Sequence, residues 1–506
     1  MGQPLIVRDL SSLTSWHADW SGLRVAVLGL GVTGFAAADT LVELGTRVRV
    51  LSSGRDAERE HLLSVIGAEF AGDDLEASLA EFAPELVIVS PGFRPNNPLL
   101  VWAAESGVAV WGDIELAWRL RDKVKSAEWI CVTGTNGKTT TVQLTTHLLA
   151  ASGARVAAVG NIGVPVLDAV RDPIGFDALV LELSSFQLHW MNTTAAGSIS
   201  PFASVCLNLA EDHFDWHGSA AAYRDAKAKV YANTRVACIY NKSESETMWM
   251  VEQAEVVEGC RAIGFDLGTP GPSDLGLVGD IIVDRAFHDD RHSTAIELTT
   301  HGELEAVGLA APHSVANVLA AAALARAWGV APESIGAAIA TFRVDHHRTE
   351  TVIAHDGVLW VDDSKATNPH AASASLSAFP SVVWIVGGLL KGVDVNDLVE
   401  RHCDRLRAAV LIGADRAALR EAFERHAPDL PVFEVDSGET ELVMRRAVDF
   451  SIAVAVPGDT VLLAPAAASM DQFTDYADRG RRFAAAVMES LGGADGESNG
   501  SAAPSA

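Results

Sequence analysis

Five cysteines in 506 residues, at positions 131, 206, 238, 260 and 403, are too few and too scattered for a disulfide framework. No CxxC pair is present to hold zinc, and a reducing cytoplasm is the expected setting. The chain also lacks a positive charge excess: 38 Lys and Arg against 66 Asp and Glu leave a formal charge of −28. That balance argues against a nucleic-acid partner, although local lysines and helix ends still suffice for a small anionic ligand. The first ten residues show no basic patch followed by an apolar run, so no secretory signal is expected. No uncharged apolar stretch reaches the ~18 residues that a membrane helix needs. The alanine-rich run Val318 to Ala325 stops at Arg326 and reads as a buried soluble helix. Beyond Gly492 the chain is rich in Gly, Ser, Ala and Pro, a composition that predicts a disordered tail.

What is present points to a globular α/β enzyme. Hydrophobic residues make up 49% of the chain, with 42 glycines and many Ala, Val and Leu runs. At this length two to four domains are expected. The most informative stretch is Gly134-Thr135-Asn136-Gly137-Lys138-Thr139-Thr140, between the apolar run ending at Val132 and a helix-like stretch to Ala151. Strand, glycine turn and helix start form a phosphate cradle, in which backbone N–H groups face the anion and Lys138 reaches the terminal phosphates. Thr139 stands where a hydroxyl can ligate Mg²⁺. The interval between the two glycines is shorter than in the ordinary P-loop, which sets the chain apart from GTPases and motor ATPases. ATP is the expected nucleotide.

Three blocks are legible along the chain. In the first, Val25 to Leu28 leads into Gly29-Leu30-Gly31-Val32-Thr33-Gly34 and a helical run, which predicts a Rossmann-like fold. The second strand, Arg47 to Leu51, ends in Ser52 and Ser53, with no acid for an adenosine ribose, so NAD is disfavoured. A later strand runs into Ser90-Pro91-Gly92, a polar turn of the kind that lines the crevice of open α/β sheets. The second block carries the phosphate loop, and its strands end in Gly160-Asn161-Ile162-Gly163, in Glu182 to Gln187 and in Asn208 to His217. The third shows strands at Val382 to Val386, Ala409 to Ile412 and Thr460 to Leu463, and reads as a second Rossmann-like domain. The expected division is 1–112, 113–344 and 345–490, with the tail over 491–506, all of α/β class with mostly parallel sheets.

Several residues carry candidate chemistry. Glu182, at a strand end, can complete a Mg²⁺ shell opposite Thr139; its plainer reading is a neighbour of a helix cap. His213 and His217 have zincin-like spacing, but Phe214 follows His213 where the hydrolytic Glu would stand, which rejects a zinc protease. His213 is left to a second divalent ion or a phosphate, and His217 to a polar loop contact. Lys227, on an amphipathic helix, reads by itself as a solvated lysine. Asn317 is placed at a helix start. Arg348 suits either a nucleotide contact or an ordinary ion pair. The turns Asp363-Ser364-Lys365-Ala366-Thr367-Asn368 and Ser469-Met470-Asp471-Gln472-Phe473 should face one crevice, with Lys391 on its rim. They supply the lysine, hydroxyl and amide groups that an acidic amino acid requires.

Taken together, these motifs resemble the Mur ligases, over roughly residues 22–483. The branch that adds D-glutamate is matched by Gly29 to Gly34, Ser90-Pro91-Gly92, Gly112-Asp113-Ile114-Glu115-Leu116, Asp363 to Asn368, and Ala468 to Phe473 followed by Arg479-Gly480. The resemblance implies a cytoplasmic, ATP- and Mg²⁺-dependent ligase, monomeric, with UDP-N-acetylmuramoyl-L-alanine and D-glutamate as substrates. By the same resemblance Lys138 stabilises the transferring phosphoryl group, and Thr139 and Glu182 hold one Mg²⁺. His213 ligates a second, supported by Lys227, which matches a lysine that the family carbamylates. Asn161, Ser184 and Gln187 contact the muramoyl substrate; Asn317, Arg348 and Asp363 touch the nucleotide; Lys365, Thr367, Lys391, Ser469 and Tyr476 surround D-glutamate. The chain departs from the pattern at Ser52-Ser53-Gly54, in place of an Asp-Thr-Arg-like uracil contact, and at Ser314, Ala467 and Tyr476.

Overall fold

The computed structural model describes residues 9–194, 197–343, 346–390, 393–435 and 440–492. Contacts divide the chain into two units, one built from residues up to Leu209 together with Trp216–Phe342, the other from Ala210–Asp215 together with the chain from Arg343 onward.

The first unit holds two sheets. Strands β1 (Arg24–Leu28), β2 (Arg47–Leu51), β3 (Glu69–Ala71), β4 (Leu86–Val89) and β5 (Ala109–Gly112) pair in parallel in the order β3-β2-β1-β4-β5. Strands such as β1 and β4 are apolar and buried on both faces, as parallel sheets covered by helices demand. The order reverses between β1 and β4, so the crevice opens at Gly29 and Ser90, which follow those strands. Gly34 sits so close to the strand that a Cβ there would lie 2.1 Å from Gly29 O. That contact explains the third glycine of the motif without any dinucleotide.

The second sheet comprises β6 (Glu128–Thr133), β7 (Val156–Gly160), β8 (Ala178–Glu182), β9 (Ala203–Cys206), β10 (Ala237–Asn241), β11 (Arg261–Phe265), β12 (Asp274–Val278), β13 (Ile281–Asp284) and β14 (Ile296–Thr300). Its order is β14-β13-β12-β11-β10-β9-β6-β8-β7, parallel from β7 to β12 and antiparallel over β12, β13 and β14. The antiparallel extension has no counterpart in the sequence reading. The helix Pro312–Trp328 packs its buried alanines against Lys138–Ala151, and Gly329 ends it at φ 102°. Asn317 therefore lies in the second turn of that helix, a correction to its placement at the start. One apolar core, from Trp20 and Val25 through Trp111 and Leu116 to Trp129 and Leu181, serves both sheets of this unit. Arg171 ties the same two halves at the surface, donating to Asp39 at 2.5 Å and Glu43 at 2.8 Å.

The second unit is built on β15 (Glu350–His355), β16 (Val358–Asp362), β17 (Val382–Gly387), β18 (Leu406–Ile412), β19 (Val432–Glu434) and β20 (Thr460–Leu463), in the order β15-β16-β20-β17-β18-β19. All pairs but β15–β16 are parallel. The expected α/β class with three largely parallel sheets thus holds. Among the described residues no helix is long and apolar enough to cross a membrane.

The glycine contacts give a paired stability test. Gly34→Ala should cost about 1–3 kcal/mol through overpacking and lower Tm in calorimetry. A Cβ at Gly31 meets nothing within 4 Å, so Gly31→Ala should leave Tm unchanged.

Candidate active site

The phosphate loop leaves β6 and enters the helix Lys138–Ala151. Gly134 has φ 151° and Gly137 φ 80°, backbone states that favour glycine. At Gly137 a second restriction applies, because a Cβ would lie 2.2 Å from Asn317 Oδ1. Asn208, just past β9, pins the loop: Asn136 N–H donates to its Oδ1 at 2.8 Å, its amide donates to Asn136 O at 3.1 Å, and Thr135 N–H donates to its carbonyl at 3.0 Å. Lys138 Nζ donates to Gly134 O and Thr135 O, both at 2.8 Å. Thr139 and Thr140 are buried in the first helical turn, which carries no acidic residue, as an anion site requires.

Sheet register sets Glu182 beside this loop. It pairs with Val132 of β6 on one side and Gly160 of β7 on the other. The side chain is 2% exposed; Oε1 accepts from Asn161 Nδ2 at 3.0 Å, while Oε2 is buried and has no hydrogen-bond partner among the described residues. A buried carboxylate oxygen left unmatched is costly, and it suits a hard cation. The donor set of Thr139 and Glu182 therefore fits Mg²⁺.

Lys227 overturns its solvated reading. It is 2% exposed, donates to Gly134 O at 2.8 Å and Thr133 Oγ1 at 3.4 Å, and lies 4.9 Å from the centre of the Tyr223 ring. The Tyr223 hydroxyl in turn contacts Thr135 Oγ1 at 3.0 Å. Sequence reasoning missed Tyr223 and the pinning role of Asn208. Tyr223 and Lys227 stand four apart on one helix face, and that spacing carried the signal.

Ser184 and Gln187 form a capping box on the short helix Ser185–His189. Gln187 Nε2 donates to Asp113 Oδ2 at 3.0 Å. Burial pushes the Asp113 carboxyl up to about 6, against the hydrogen bond from Gln187, and its Oδ1 has no partner among the described residues. His217 meets Ser185 Oγ at 2.9 Å, a polar contact as expected, but between the ends of two short helices and not in a loop. The neighbouring Trp216 donates its indole N–H to Gly92 O at 3.3 Å, linking this region to the Ser90-Pro91-Gly92 turn.

In the second unit, parallel pairing brings the ends of β16, β20 and β17 to one edge. Asp363 is buried; its carboxylate accepts from the Ser375 hydroxyl and from Thr349 N–H at 3.3 Å, and burial raises it to about 6 while Arg348, half-buried, opposes that shift. Lys365 Nζ lies 3.8 Å over the Tyr476 ring. Ser469 is buried, and its carbonyl accepts from Gln472 and Phe473 N–H. Thr367 is half-buried one residue before Asn368, which caps the helix Pro369–Ser377. His213 belongs to this unit by contacts, with φ 55° and Nε2 3.3 Å from Asp212 Oδ2. Lys391 lies outside the described residues.

Three family models match the chain in register with its sheets: the N-terminal domain of MurD-like Mur ligases over residues 23–112, the Mur ligase middle domain over 132–325, and the Mur ligase glutamate ligase domain over 347–467. The chain is 64% identical over 505 residues to the UDP-N-acetylmuramoylalanine--D-glutamate ligase of Leifsonia xyli, covering 98% of this chain and 97% of that one. It is 52% identical over 473 residues to the protein of the same name from Streptomyces avermitilis, covering 93% and 98%. Among solved structures it resembles the UDP-N-acetylmuramate-alanine ligase of Thermotoga maritima, with a TM-score of 0.55 at 18% identity, over 92% of this chain and 100% of that one. The MurF ligase of Thermotoga maritima in complex with ADP gives 0.53 at 18% identity, over 88% and 96%. At such identity the likeness speaks for the fold.

The Asp113 carboxyl generates a pH test. Between its usual 3.8 and about 6 the folded chain holds a proton that the unfolded chain has released. Its contribution therefore falls as pH rises through that window and is least favourable above it, by about 3 kcal/mol at ~1.4 per pH unit. Asp113→Asn should raise Tm above wild type at pH 7.5, with the gap closing toward pH 4.

Proposed function

The chain belongs to the Mur ligase family, and from that membership we propose its reaction: ATP-dependent addition of D-glutamate to UDP-N-acetylmuramoyl-L-alanine, a step of peptidoglycan precursor synthesis. The observation that carries the proposal is the phosphate loop set beside a buried carboxylate with one unmatched oxygen, in a chain 64% identical to a ligase of that name. The substrate carboxylate attacks the γ-phosphate of ATP, releasing ADP and forming an acyl phosphate. The amine of D-glutamate then attacks the carbonyl carbon, the new C–N bond forms, a proton leaves the amine and phosphate departs.

Little covalent work falls to side chains; positioning and charge neutralisation dominate. Gly134, Thr135, Asn136, Gly137 and Thr140 offer the backbone and hydroxyl groups of the cradle. Lys138 turns from the loop carbonyls toward the transferring phosphoryl group. Thr139 and Glu182 would hold Mg²⁺, which would supply charge neutralisation at the phosphate oxygens. His213 and Lys227 serve the substrate carboxylate, and Asn161, Ser184 and Gln187 the muramoyl part. Asn317, Arg348 and Asp363 attend the nucleotide; Lys365, Thr367, Lys391, Ser469 and Tyr476 receive D-glutamate. The proposal includes a cytoplasmic monomer divided near residues 112 and 344.

Phosphate release should require ATP, Mg²⁺, UDP-N-acetylmuramoyl-L-alanine and D-glutamate together, with L-glutamate inactive. Lys138→Ala should reduce that rate by ~10²–10³-fold, the scale of losing one preorganised charge on a transition state, with the fold intact by circular dichroism. Release with another amino acid alone would overturn the choice of D-glutamate.

A further inference from the structure

Arg479 is the one arginine among the described residues with 0% exposure, and the reading of the site gives it no task. It stands in the first turn of the helix Tyr476–Gly492 and has no salt bridge among the described residues. Its guanidinium instead donates to three neutral acceptors on two turns. Nε reaches Ser364 Oγ at 2.9 Å, Nη2 reaches Ser364 O at 2.9 Å, and Nη1 reaches Ala467 O at 3.1 Å. Burial lowers its pKa to about 10, with Asp471 and Asp362 acting in the opposite sense.

Each acceptor leads to a residue assigned to the amino acid. Ser364 precedes Lys365, and its hydroxyl donates onward to Tyr476 O at 2.7 Å, while the Tyr476 ring carries the Lys365 ammonium at 3.8 Å. Ala467 stands two residues before Ser469. A backbone bond from Ala466 N–H to Ala366 O at 2.9 Å joins the same two turns. Gly480 makes the approach possible, since a Cβ there would lie 2.2 Å from His347 Nδ1 and 2.6 Å from Asp362 Oδ2. A planar fork fixes direction as well as distance, which neither an apolar side chain nor an ammonium does.

We propose that Arg479 is a positioning residue for the amino-acid substrate, holding the turn of Lys365, the turn of Ser469 and its own helix start at Tyr476 in fixed relation. This rests on the assignment of those three residues to D-glutamate. The test uses the full-length chain with Arg479→Met, Arg479→Lys and Ser364→Ala, and reads KM separately for D-glutamate, ATP and the UDP substrate. Arg479→Met should raise KM for D-glutamate ~10-fold or more, the scale of losing a charged hydrogen bond. KM for the other two should stay within ~2-fold, because uniform damage would move all three. Arg479→Lys should recover part of the loss. Ser364→Ala, which removes only a hydroxyl, should shift KM for D-glutamate alone and serves if Arg479→Met does not fold. Parallel changes in all three constants, or an unchanged D-glutamate constant, would overturn the proposal.

Amide exchange supplies the arm that does not depend on turnover. In Arg479→Met it should quicken over residues 364–367 and 466–469, with β17 and β18 unchanged; uniform acceleration, or none, would overturn the proposal. If the wild-type chain fails to release phosphate with D-glutamate, the functional assignment falls while the exchange result still decides whether Arg479 holds the two turns.

Discussion

Parallel strand pairing is the constraint on which the rest depends. In a parallel sheet every strand runs the same way, so the turns that follow neighbouring strands collect along one edge. The register Val132–Glu182–Gly160 sets the phosphate loop, the buried carboxylate and Asn161 side by side without any one of them being near another in sequence. The same rule gathers Asp363, Gly388 and Ala464 at one edge of the third sheet. Among the described strands antiparallel pairing is confined to β12–β14, at the end of the second sheet far from the phosphate loop, and to β15, which flanks β16 at the edge of the third sheet.

That rule explains what could be read from the sequence. The phosphate loop was legible because its glycines encode backbone angles and its lysine a reach, all within seven consecutive residues. Alternation of apolar runs and polar turns disclosed the fold class for the same local reason. Lys227 was not legible: its burial arises when the helix Ala220–Ala228 settles against the end of β6, a contact between residues 93 and 94 positions apart. The strands β12 to β14 were missed because Asp274, Gly276, Asp284 and Glu297 interrupt or bound their apolar runs, leaving no pattern to separate them from loop. Arg479 was legible as part of a motif, but its three acceptors lie 12 and 115 positions away.

Three buried ionisable groups, Lys227, Arg479 and Asp113, are matched by backbone carbonyls or neutral side chains. Lys227 and Arg479 both donate to carbonyl oxygens, and Asp113 accepts from an amide. Such arrangements contribute less to stability than apolar packing of the same volume, and what they add is direction. Their distribution is informative: Lys227 and Glu182 adjoin the phosphate loop, and Asp113 adjoins the Ser184–Gln187 cap. Around them the cores of all three sheets are aliphatic and aromatic, so stability is provided where no chemistry is required.

The folded-back pose of Lys138 has a consequence for selectivity. Its ammonium is engaged by two carbonyls of its own loop, so any anion must compete with a built-in rival for it. A lone phosphate ion offers little beyond that single exchange. A triphosphate repays the exchange along the row of loop amides and at the helix end. The loop thereby favours an anion long enough to meet its amides and the helix end together over one that replaces only the two carbonyls on Lys138.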